Sequence, residues 1–281
     1  MLNIESLRFP SYELPPALDE LRREVRAFLE ESLKSYSALV RSNTWDGFDA
    51  DFSRKLGAKG WLGMTLPKAY GGHDRSAIQW KPTGAPAAST VVVRYGTEEQ
   101  KQKIIPGIAR GEVCFCIGMS EPNSGSDLAS VRTKAERVAD GWLVNGTKIW
   151  TTNAHRADYM IALLRTDSSP DAKHRGLSQF LIDLKSTKGI TPRPIRDLTG
   201  RGHFNEVSFE DALLPPDALL GKEGDGWKQV TAELAYERSG PERYLSCFLL
   251  LARLVDRLGK DASPAALAKV GAESPGPPRS G

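Results

Sequence analysis

The stretch "RVADGWLVNGTKIWTT", residues 137–152, carries the pattern that decides the fold. It contains Asp140-Gly141 and Asn145-Gly146, and both dipeptides favour tight turns between antiparallel strands. The residues around them are mostly apolar, aromatic or β-branched, which is typical of short strands. We therefore predict that this stretch folds as short antiparallel strands joined by two tight turns.

The same strand pattern continues on both sides, over about residues 113–216. The segments "DYMIALLRT", "LSQFLIDL" and "NEVSFEDALL" are short, rich in strand formers and separated by clusters of Gly, Pro, Ser and Asp. No helical period lies between them, which favours a small antiparallel β-barrel or sandwich. We predict a middle β domain over residues 113–217.

Helical patterns precede this β region. Residues 15–39 carry apolar side chains at spacings of three and four, which predicts an amphipathic helix. The repeating positions are Leu18, Leu21, Val25, Phe28, Leu29 and Leu33. A second short helix is predicted around residues 48–59. A third is predicted to start at Thr97, because "TEEQ" is a capping-box pattern, and Pro106 is expected to break or kink it near its end.

Helical patterns also follow the β region. After "GKEGDGW" we predict helices over residues 227–236 and 242–258, interrupted at Gly240-Pro241, while the tail "AESPGPPRSG" is expected to be disordered. The predicted fold class is therefore α+β. It comprises a helical N-terminal domain over residues 1–112, the β domain, and a partial C-terminal helical domain over residues 218–281.

The composition excludes several classes of function. A net charge of +3 over 281 residues is too small for a nucleic-acid-binding surface. The apolar run at residues 247–255 is broken by Arg253 and is too short to span a bilayer, and the first ten residues do not resemble a secretory signal. The three cysteines and four histidines lack metal-ligand spacing, so we expect no metal site and a cytoplasmic protein.

A polar run, "CIGMSEPNSGSD" at residues 116–127, raises the question of function. Taken alone, it is most often a solvated turn, since it consists of turn-forming residues. It is one of five segments, however, whose order along the chain resembles the acyl-CoA dehydrogenase family of flavoproteins. The others are "GWLGMTLPKAYGG", "RYGTEEQKQKIIPGIARGE", "VNGTKIWTTNA" and "GWKQVTAELAYER". The resemblance covers about residues 15–260.

The resemblance implies FAD as the cofactor. In the family, the loop similar to residues 117–126 runs along the flavin, with a hydroxyl at the position of Ser120, and the strand similar to residues 150–152 places an aromatic ring and a hydroxyl against the isoalloxazine. The implied cofactor-binding residues are Ile117, Gly118, Met119, Ser120, Gly125, Ser126, Trp150, Thr151 and Thr152. Ser126 also stands where the family contacts the acyl-CoA. The competing interpretation is that Trp150, like Trp142, is an ordinary core aromatic.

The resemblance also implies a reaction, the α,β-dehydrogenation of an acyl-CoA thioester. A carboxylate abstracts the α proton while the β hydride passes to the flavin N5. A subset of the family uses a Glu directly before an Arg in the first long C-terminal helix, and Glu237 occupies that position. Glu237 is therefore the candidate catalytic base, and Glu233 and Glu242 are weaker candidates. The alternative is that Glu237 and Arg238 are only a structural charge pair.

The sequence departs from the family in two places. The family has helices that wall the acyl pocket where this chain has residues 72–96, and here Pro82, Gly84 and Pro86 are expected to break any helix. The C-terminal helical domain is also cut short. It leaves an apolar stripe of Tyr244, Phe248, Leu251, Val255 and Leu258 that a partner would have to cover.

The implied partners are an acyl-CoA thioester and an electron-transfer flavoprotein or similar acceptor. We expect a homo-oligomer, or a hetero-oligomer with a paralogue. Two alternative functions remain open at this point: a catalytically incompetent truncated subunit that acts only with a paralogous partner, and a related flavin oxidase or monooxygenase. A simple β-barrel binding module is least favoured, because the flanking helices resemble the family too.

Overall fold

The computed structural model describes residues 16–42, 47–75, 87–237 and 248–258, and positions 263, 265 and 268. The helices are α1 (Pro16–Ser32), α2 (Ala38–Ser42), α3 (Ala50–Ala58), α4 (Ala87–Tyr95), α5 (Glu98–Ala109), α6 (Gly226–Glu237) and α7 (Phe248–Leu258). The strands are β1 (Phe115–Gly118), β2 (Lys134–Val138), β3 (Gly141–Thr152), β4 (Tyr159–Arg165), β5 (Leu177–Asp183), β6 (Ile190–Ile195) and β7 (Phe204–Leu214). The predicted α+β class is confirmed.

The chain divides into two compact units, one of Met1–Thr44 with Leu245–Gly281 and one of Trp45–Tyr244. Within the first unit, α2 packs beside α7. Helix α1 forms as its apolar spacing predicts, although it ends at Ser32, earlier than expected. The predicted interruption at Gly240-Pro241 and the predicted disordered tail lie outside the described residues.

The second unit contains one seven-stranded sheet. The strand order is β1-β4-β2-β3-β7-β6, and β5 pairs with β4. The pairing is mostly antiparallel, as expected, but β1 runs parallel to β4, and β2 meets β4 in a single parallel pair. Trp142 lies in the core of this sheet, 5.0 Å from the ring of Phe180 in an edge-to-face contact, so its interpretation as a core aromatic is confirmed.

One of the two predicted tight turns is present. Strands β2 and β3 form a hairpin that pairs Val138 with Gly141, so the turn at Asp140-Gly141 is confirmed. The turn at Asn145-Gly146 is wrong, because β3 continues through it and the register with β7 shifts there instead. This irregularity is a β-bulge, in which β7 has one residue more than β3 between the pairs Val144–Ala212 and Gly146–Phe209.

Strand β3 passes through Asn145-Gly146 without turning for clear physical reasons. Gly146 has φ of +143°, and a Cβ at this position would lie 2.7 Å from Thr133 Cα, so only glycine fits. Asn145 Nδ2 donates to Asp211 Oδ1 at 2.9 Å, and Asn145 Oδ1 accepts from the Asp211 N–H at 2.8 Å. These contacts across β3 and β7 hold the strands together where a turn would separate them.

Helix α5 begins as its capping-box sequence predicts. The Thr97 hydroxyl accepts from the Gln100 N–H, and the Gln100 side chain accepts from the Thr97 N–H. The helix continues past Pro106 to Ala109, so the expected break does not occur there. Buried isoleucines on the same helix, Ile104, Ile105 and Ile108, supply packing that outweighs one missing hydrogen bond.

Residues 72–96, in which Pro82, Gly84 and Pro86 are expected to break any helix, contain a helix in their second part. Helix α4 spans Ala87–Tyr95, and Val91 and Val92 are buried in the cluster that also contains the isoleucines of α5. Tertiary packing thus stabilises a helix rich in β-branched residues. Pro82, Gly84 and Pro86 themselves lie outside the described residues.

Candidate functional site

The loop after β1 and the end of β3 lie side by side. The Ile149 N–H donates to the Ser120 carbonyl oxygen at an N···O distance of 2.9 Å. Lys148 Nζ donates to the Met119 carbonyl oxygen, also at 2.9 Å. The two segments that sequence analysis assigned to one ligand are therefore brought together, although about thirty residues separate them in the chain.

Strand β3 presents an aromatic ring and a hydroxyl at its end. Trp150 is 56% exposed, which is unusual for a Trp in a strand, and its ring meets Phe204 edge-on at 5.9 Å. Thr152 is half-buried, whereas Thr151 between them is buried and its hydroxyl lacks a hydrogen-bond partner among the described residues. Trp150 and Thr152 can therefore contact a ligand, while Thr151 belongs to the interior.

A second bulge explains why Trp150 is exposed. The pairing of β3 with β7 shifts register between Lys148 and Thr151, and Trp150 has φ of +60°. A bulky residue in this left-handed conformation is strained by about 1–3 kcal/mol and is held there only by its surroundings. Such strain is typical of functional sites, where a bulge redirects a side chain.

The predicted loop residues differ in accessibility. Ile117, Met119 and Ser120 are half-buried, so their side chains and backbone remain partly accessible. Gly118 is buried, and a Cβ there would lie 2.8 Å from Met160 Sδ, so a larger residue would require the Met160 side chain to move. Ser126 is exposed with Gly125, around which a Cβ would have open space.

The loop itself is a compact turn. Glu121 and Ser124 exchange two backbone hydrogen bonds, with N···O distances of 2.8 and 3.0 Å. The Ser124 hydroxyl donates to the Asp127 carbonyl at 2.9 Å, and the Ser130 hydroxyl lies 2.7 Å from the Ser124 hydroxyl. The run is therefore the ordered turn that its composition predicts, and it is fixed against β3 by Ser120.

A buried ion pair beneath the loop was missed by sequence analysis. Lys148 has 0% of its side chain exposed, and its Nζ lies 2.9 Å from Glu121 Oε1. Glu121 also accepts from the backbone N–H groups of Arg132 at 2.6 Å and Thr133 at 2.9 Å. Lys148 thus joins a carbonyl and a carboxylate of the loop to the strand that carries Trp150.

The electrostatics of this pair follow from its burial. Burial lowers the pKa of Lys148 to about 8, although the negative charge of Glu121 opposes the shift. Burial would raise the pKa of Glu121, but the charge of Lys148 and the hydrogen bonds to the carboxylate outweigh it and leave the pKa below its usual value. Both groups are therefore ionised at neutral pH.

Helix α6 packs against the base of the same loop. Met119 and Leu128 pack on the cluster that also receives Trp227 and Leu234 of α6. The buried members of that cluster are Val131, Leu163, Leu177 and Val230. Glu237 ends α6 one turn after Leu234, but its side chain lies outside the described residues.

The weaker base candidates fare differently. The Glu233 carboxylate is buried and accepts from Gln179 Nε2 of β5 at 3.3 Å, so this contact gives Glu233 a structural role. Glu242 lies outside the described residues. Of the three candidates only Glu233 has a described side chain, and it is buried, so the assignment of the base to Glu237 stays a prediction.

The described residues contain no cluster of His, Cys, Asp and Glu that could hold a metal ion. Nor does any described helix have the length and apolar character needed to cross a membrane. Burial raises the pKa of Cys116 to about 12, so this thiol is not a nucleophile at neutral pH.

Comparison with known proteins agrees with this geometry. The profile for "Acyl-CoA dehydrogenase, middle domain" matches residues 116–212, and the profile for "Acyl-CoA dehydrogenase, N-terminal domain" matches residues 15–81. A solved structure of a variant of the Tcur3481-Tcur3483 steroid ACAD is 30% identical with a TM-score of 0.78, covering 92% of this chain and 72% of its own. The chain belongs to the acyl-CoA dehydrogenase family.

Two relatives from Mycobacterium tuberculosis are also similar. Acyl-CoA dehydrogenase FadE34 is 45% identical over 152 residues, which are 54% of this chain. Acyl-CoA dehydrogenase FadE29 is 40% identical over 242 residues, which are 80% of this chain. The chain spans 21% of the length of FadE34 and 62% of the length of FadE29.

Family membership accounts for the arrangement at β3. Acyl-CoA dehydrogenases are FAD-dependent flavoproteins, and the isoalloxazine is a flat ring with a polar edge. An exposed indole, a half-buried threonine hydroxyl and a half-buried serine on an adjacent loop suit such a ring. The residues present thus fit the cofactor of the family.

Proposed function

We propose that this chain binds FAD and acts as an acyl-CoA dehydrogenase-type oxidoreductase on an acyl-CoA thioester. The observation that carries the proposal is the hydrogen bond from Ile149 to Ser120, because it joins the polar loop to the strand with an exposed, strained Trp150. An aromatic residue of the hydrophobic core would be buried, whereas Trp150 is exposed and has a strained positive φ. The family match to the first two domains supports the same conclusion.

The described residues would act mainly by orienting ligands. Trp150 offers an aromatic surface, while Ser120 and Thr152 offer hydroxyls for the polar edge of the ring. Fixed hydroxyls and backbone groups stabilise developing negative charge without reorganising. Bound FAD would supply the chemistry of accepting a hydride from the β carbon of the thioester. Ser126, exposed at the end of the loop, is proposed to contact the acyl-CoA.

Removal of the α proton requires a base, and we assign it to the carboxylate of Glu237. The residue ends α6, whose Trp227 and Leu234 pack on the same cluster as Met119 of the loop. This packing supports the assignment, because it places the helix beside the loop. Loss of the α proton to Glu237 and of the β hydride to the cofactor would leave an α,β-unsaturated thioester.

The partners are part of the proposal. An electron-transfer flavoprotein or a similar acceptor would reoxidise the cofactor. Oligomer formation, with itself or with a paralogue, is supported by the name of the similar solved structure, which joins two proteins, Tcur3481 and Tcur3483. The cytoplasmic location expected from the sequence stays a prediction.

The first test is the visible absorption spectrum of the purified chain after incubation with FAD. We expect a bound flavin spectrum that bleaches when acyl-CoA thioesters are added without oxygen. Ser120→Ala and Trp150→Ala should each weaken FAD binding about tenfold, which corresponds to about 1.4 kcal/mol. Trp61→Phe, in a buried position away from the loop in sequence, serves as a control for tryptophan replacement.

The outcomes of this test separate the alternatives. A chain that binds no FAD on its own, but does so with a paralogue, would instead support the truncated-subunit alternative. Turnover that requires oxygen as acceptor would support the oxidase or monooxygenase alternative. Unchanged FAD affinity in both variants would contradict the assignment of Ser120 and Trp150.

The assignment of the base has its own test. Glu237→Gln should lower the rate of bleaching by acyl-CoA by at least about a hundredfold, since general bases contribute about 10²–10⁴-fold, while FAD remains bound. Glu223→Gln is the matched control, because Glu223 is a surface acid just before α6 that pairs with Arg137. An unchanged rate in Glu237→Gln would remove Glu237 from the mechanism.

A further inference from the structure

A buried amide lies directly behind the end of β3. Asn205 of β7 stands opposite Thr151 in the ladder and is completely buried. Its Nδ2 donates to the Thr151 carbonyl at 3.0 Å and to the His203 carbonyl at 3.2 Å. Its Oδ1 lies 2.9 Å from His155 Nδ1. One side chain therefore connects three separate points around the exposed tryptophan.

The hydrogen bonds fix the protonation of His155. Both N–H groups of Asn205 face carbonyl oxygens, so the atom that faces His155 is the oxygen, which can only accept. His155 Nδ1 must therefore carry a proton. In the neutral ring this is the Nδ1–H tautomer, and it leaves Nε2 without a proton.

The same network reaches the residue that follows the site strand. The Asn153 N–H donates to the His203 carbonyl at 2.6 Å, and this is the carbonyl that Asn205 also contacts. Asn153 has φ of +56°, so the chain turns sharply there, just after Thr152. The peptides on both sides of Thr152 are thus held by partners that meet at Asn205.

The strained bulge needs such anchors. Lys148 and the hydrogen bond from Ile149 to Ser120 hold the chain before Trp150. Asn205 holds it immediately after Trp150, through the Thr151 carbonyl. A bulky residue with positive φ persists only when the surrounding structure fixes it on both sides.

We infer that Asn205, oriented by the Nδ1–H of His155, is a positioning residue that keeps Trp150 and Thr152 presented to the flavin. The inference deepens the proposed function and rests on it for the identity of the ligand. Asn205 does not touch that ligand. It acts by fixing the Thr151 peptide, and therefore the bulge, before the ligand arrives.

The test compares FAD affinity in two variants of the same pair of strands. Asn205→Ala should weaken FAD binding about tenfold, which corresponds to about 1.4 kcal/mol, because the Thr151 peptide would lose the side chain that fixes it. Asn145→Ala is the control, because Asn145 also bridges β3 and β7 by two side-chain hydrogen bonds, but at the other register shift of the ladder, between Val144 and Gly146. It should leave FAD affinity unchanged. Equal weakening in both variants would overturn the inference.

A gentler variant addresses the possibility that Asn205→Ala does not fold. His155→Phe keeps a planar aromatic ring but removes both ring nitrogens, including the Nδ1 donor to Asn205, and we expect about threefold weaker FAD binding. His174→Phe is its control, because it is the same substitution at a histidine that contacts Trp227, with 4.4 Å between the ring centroids, and not Asn205. Affinity unchanged in His155→Phe, with the fold intact, would contradict the role of His155.

A readout without FAD separates this inference from the proposed function. In protein labelled with 5-fluorotryptophan, the ¹⁹F resonance of Trp150, assigned by its loss in Trp150→Phe, should shift and broaden in Asn205→Ala or His155→Phe. The resonance of Trp227 should not change. Nitrogen-15 NMR should show His155 as the Nδ1–H tautomer. If wild type binds no FAD the proposed function fails, and a Trp150 resonance unaffected by either variant would overturn the positioning role.

Discussion

Glu121 should contribute much of the stability around the loop, because it is the counter-ion of a completely buried ammonium. Glu121→Gln would leave Lys148 buried without that charge, and breaking one partner of a buried pair costs about 3–5 kcal/mol. Urea unfolding at pH 7 measures this loss. The control is Glu136→Gln, since Glu136 forms an exposed pair with Lys134 at 3.7 Å and should cost at most about 1 kcal/mol.

The same carboxylate predicts a pH dependence. The pKa of Glu121 lies below its ordinary value of 4.5 in the folded state, so the unfolded chain binds more protons as the pH falls below 4.5. The stabilising contribution of Glu121 is therefore fully present above pH 4.5, and it is lost as the pH falls through the pKa that Glu121 has in the folded state. Glu121→Gln should flatten this part of the stability profile, and an equally steep profile in the variant would contradict the argument.

The sequence contains a partial signal for Lys148. Side chains alternate along a strand, and Trp142, Val144 and Lys148 all occupy even positions of β3 that are buried. A lysine in phase with core residues indicates a buried partner, but the sequence does not identify Glu121, which lies 27 residues away. The importance of Asn205 and His155 could not be predicted either, because it depends on contacts between strands that are distant in sequence.

Strand β3 shows how a β-bulge can reverse the burial that the alternation of side chains predicts. An unbroken alternation would put Trp150 on the buried side with Lys148, which is the core interpretation that the sequence allows. The bulge after Lys148 shifts the phase by one residue, so Thr151 is buried and Trp150 is exposed. The family resemblance assigned the surface role to Trp150, whereas periodicity alone would have assigned the opposite one.

Turns and helices depend on their neighbours to different degrees. The hairpin at Gly141 and the capping box at Thr97 are satisfied by residues within a few positions, so the sequence predicts them correctly. Strand β3 runs straight through Gly146, opposite a bulge of β7, because Thr133 lies close to Gly146 and Asp211 bonds to Asn145, and both are remote in the chain. Elements stabilised by local hydrogen bonds are thus predictable, and those decided by packing are not.

The unit that contains α2 and α7 should govern association. Two packed helices expose a set of apolar side chains that water solvates poorly: Leu39, Val40, Leu250, Leu254 and Val255. Patches of this kind usually mark interaction surfaces, which agrees with the partner expected from the apolar spacing of α7. The predicted stripe is present in part, since Val255 is 49% exposed, while Tyr244 lies outside the described residues.

We therefore expect the purified chain to self-associate or to bind a paralogue through this patch. Leu254→Lys combined with Val255→Lys should shift the molar mass measured by light scattering toward that of a monomer of 30.8 kDa, because charge is costly to bury in an interface. Leu213→Lys is the control, as Leu213 is an apolar residue of β7 that is 47% exposed, the same fraction as Leu254. A double variant with the same mass as wild type, while both remain folded, would show that association does not use α7.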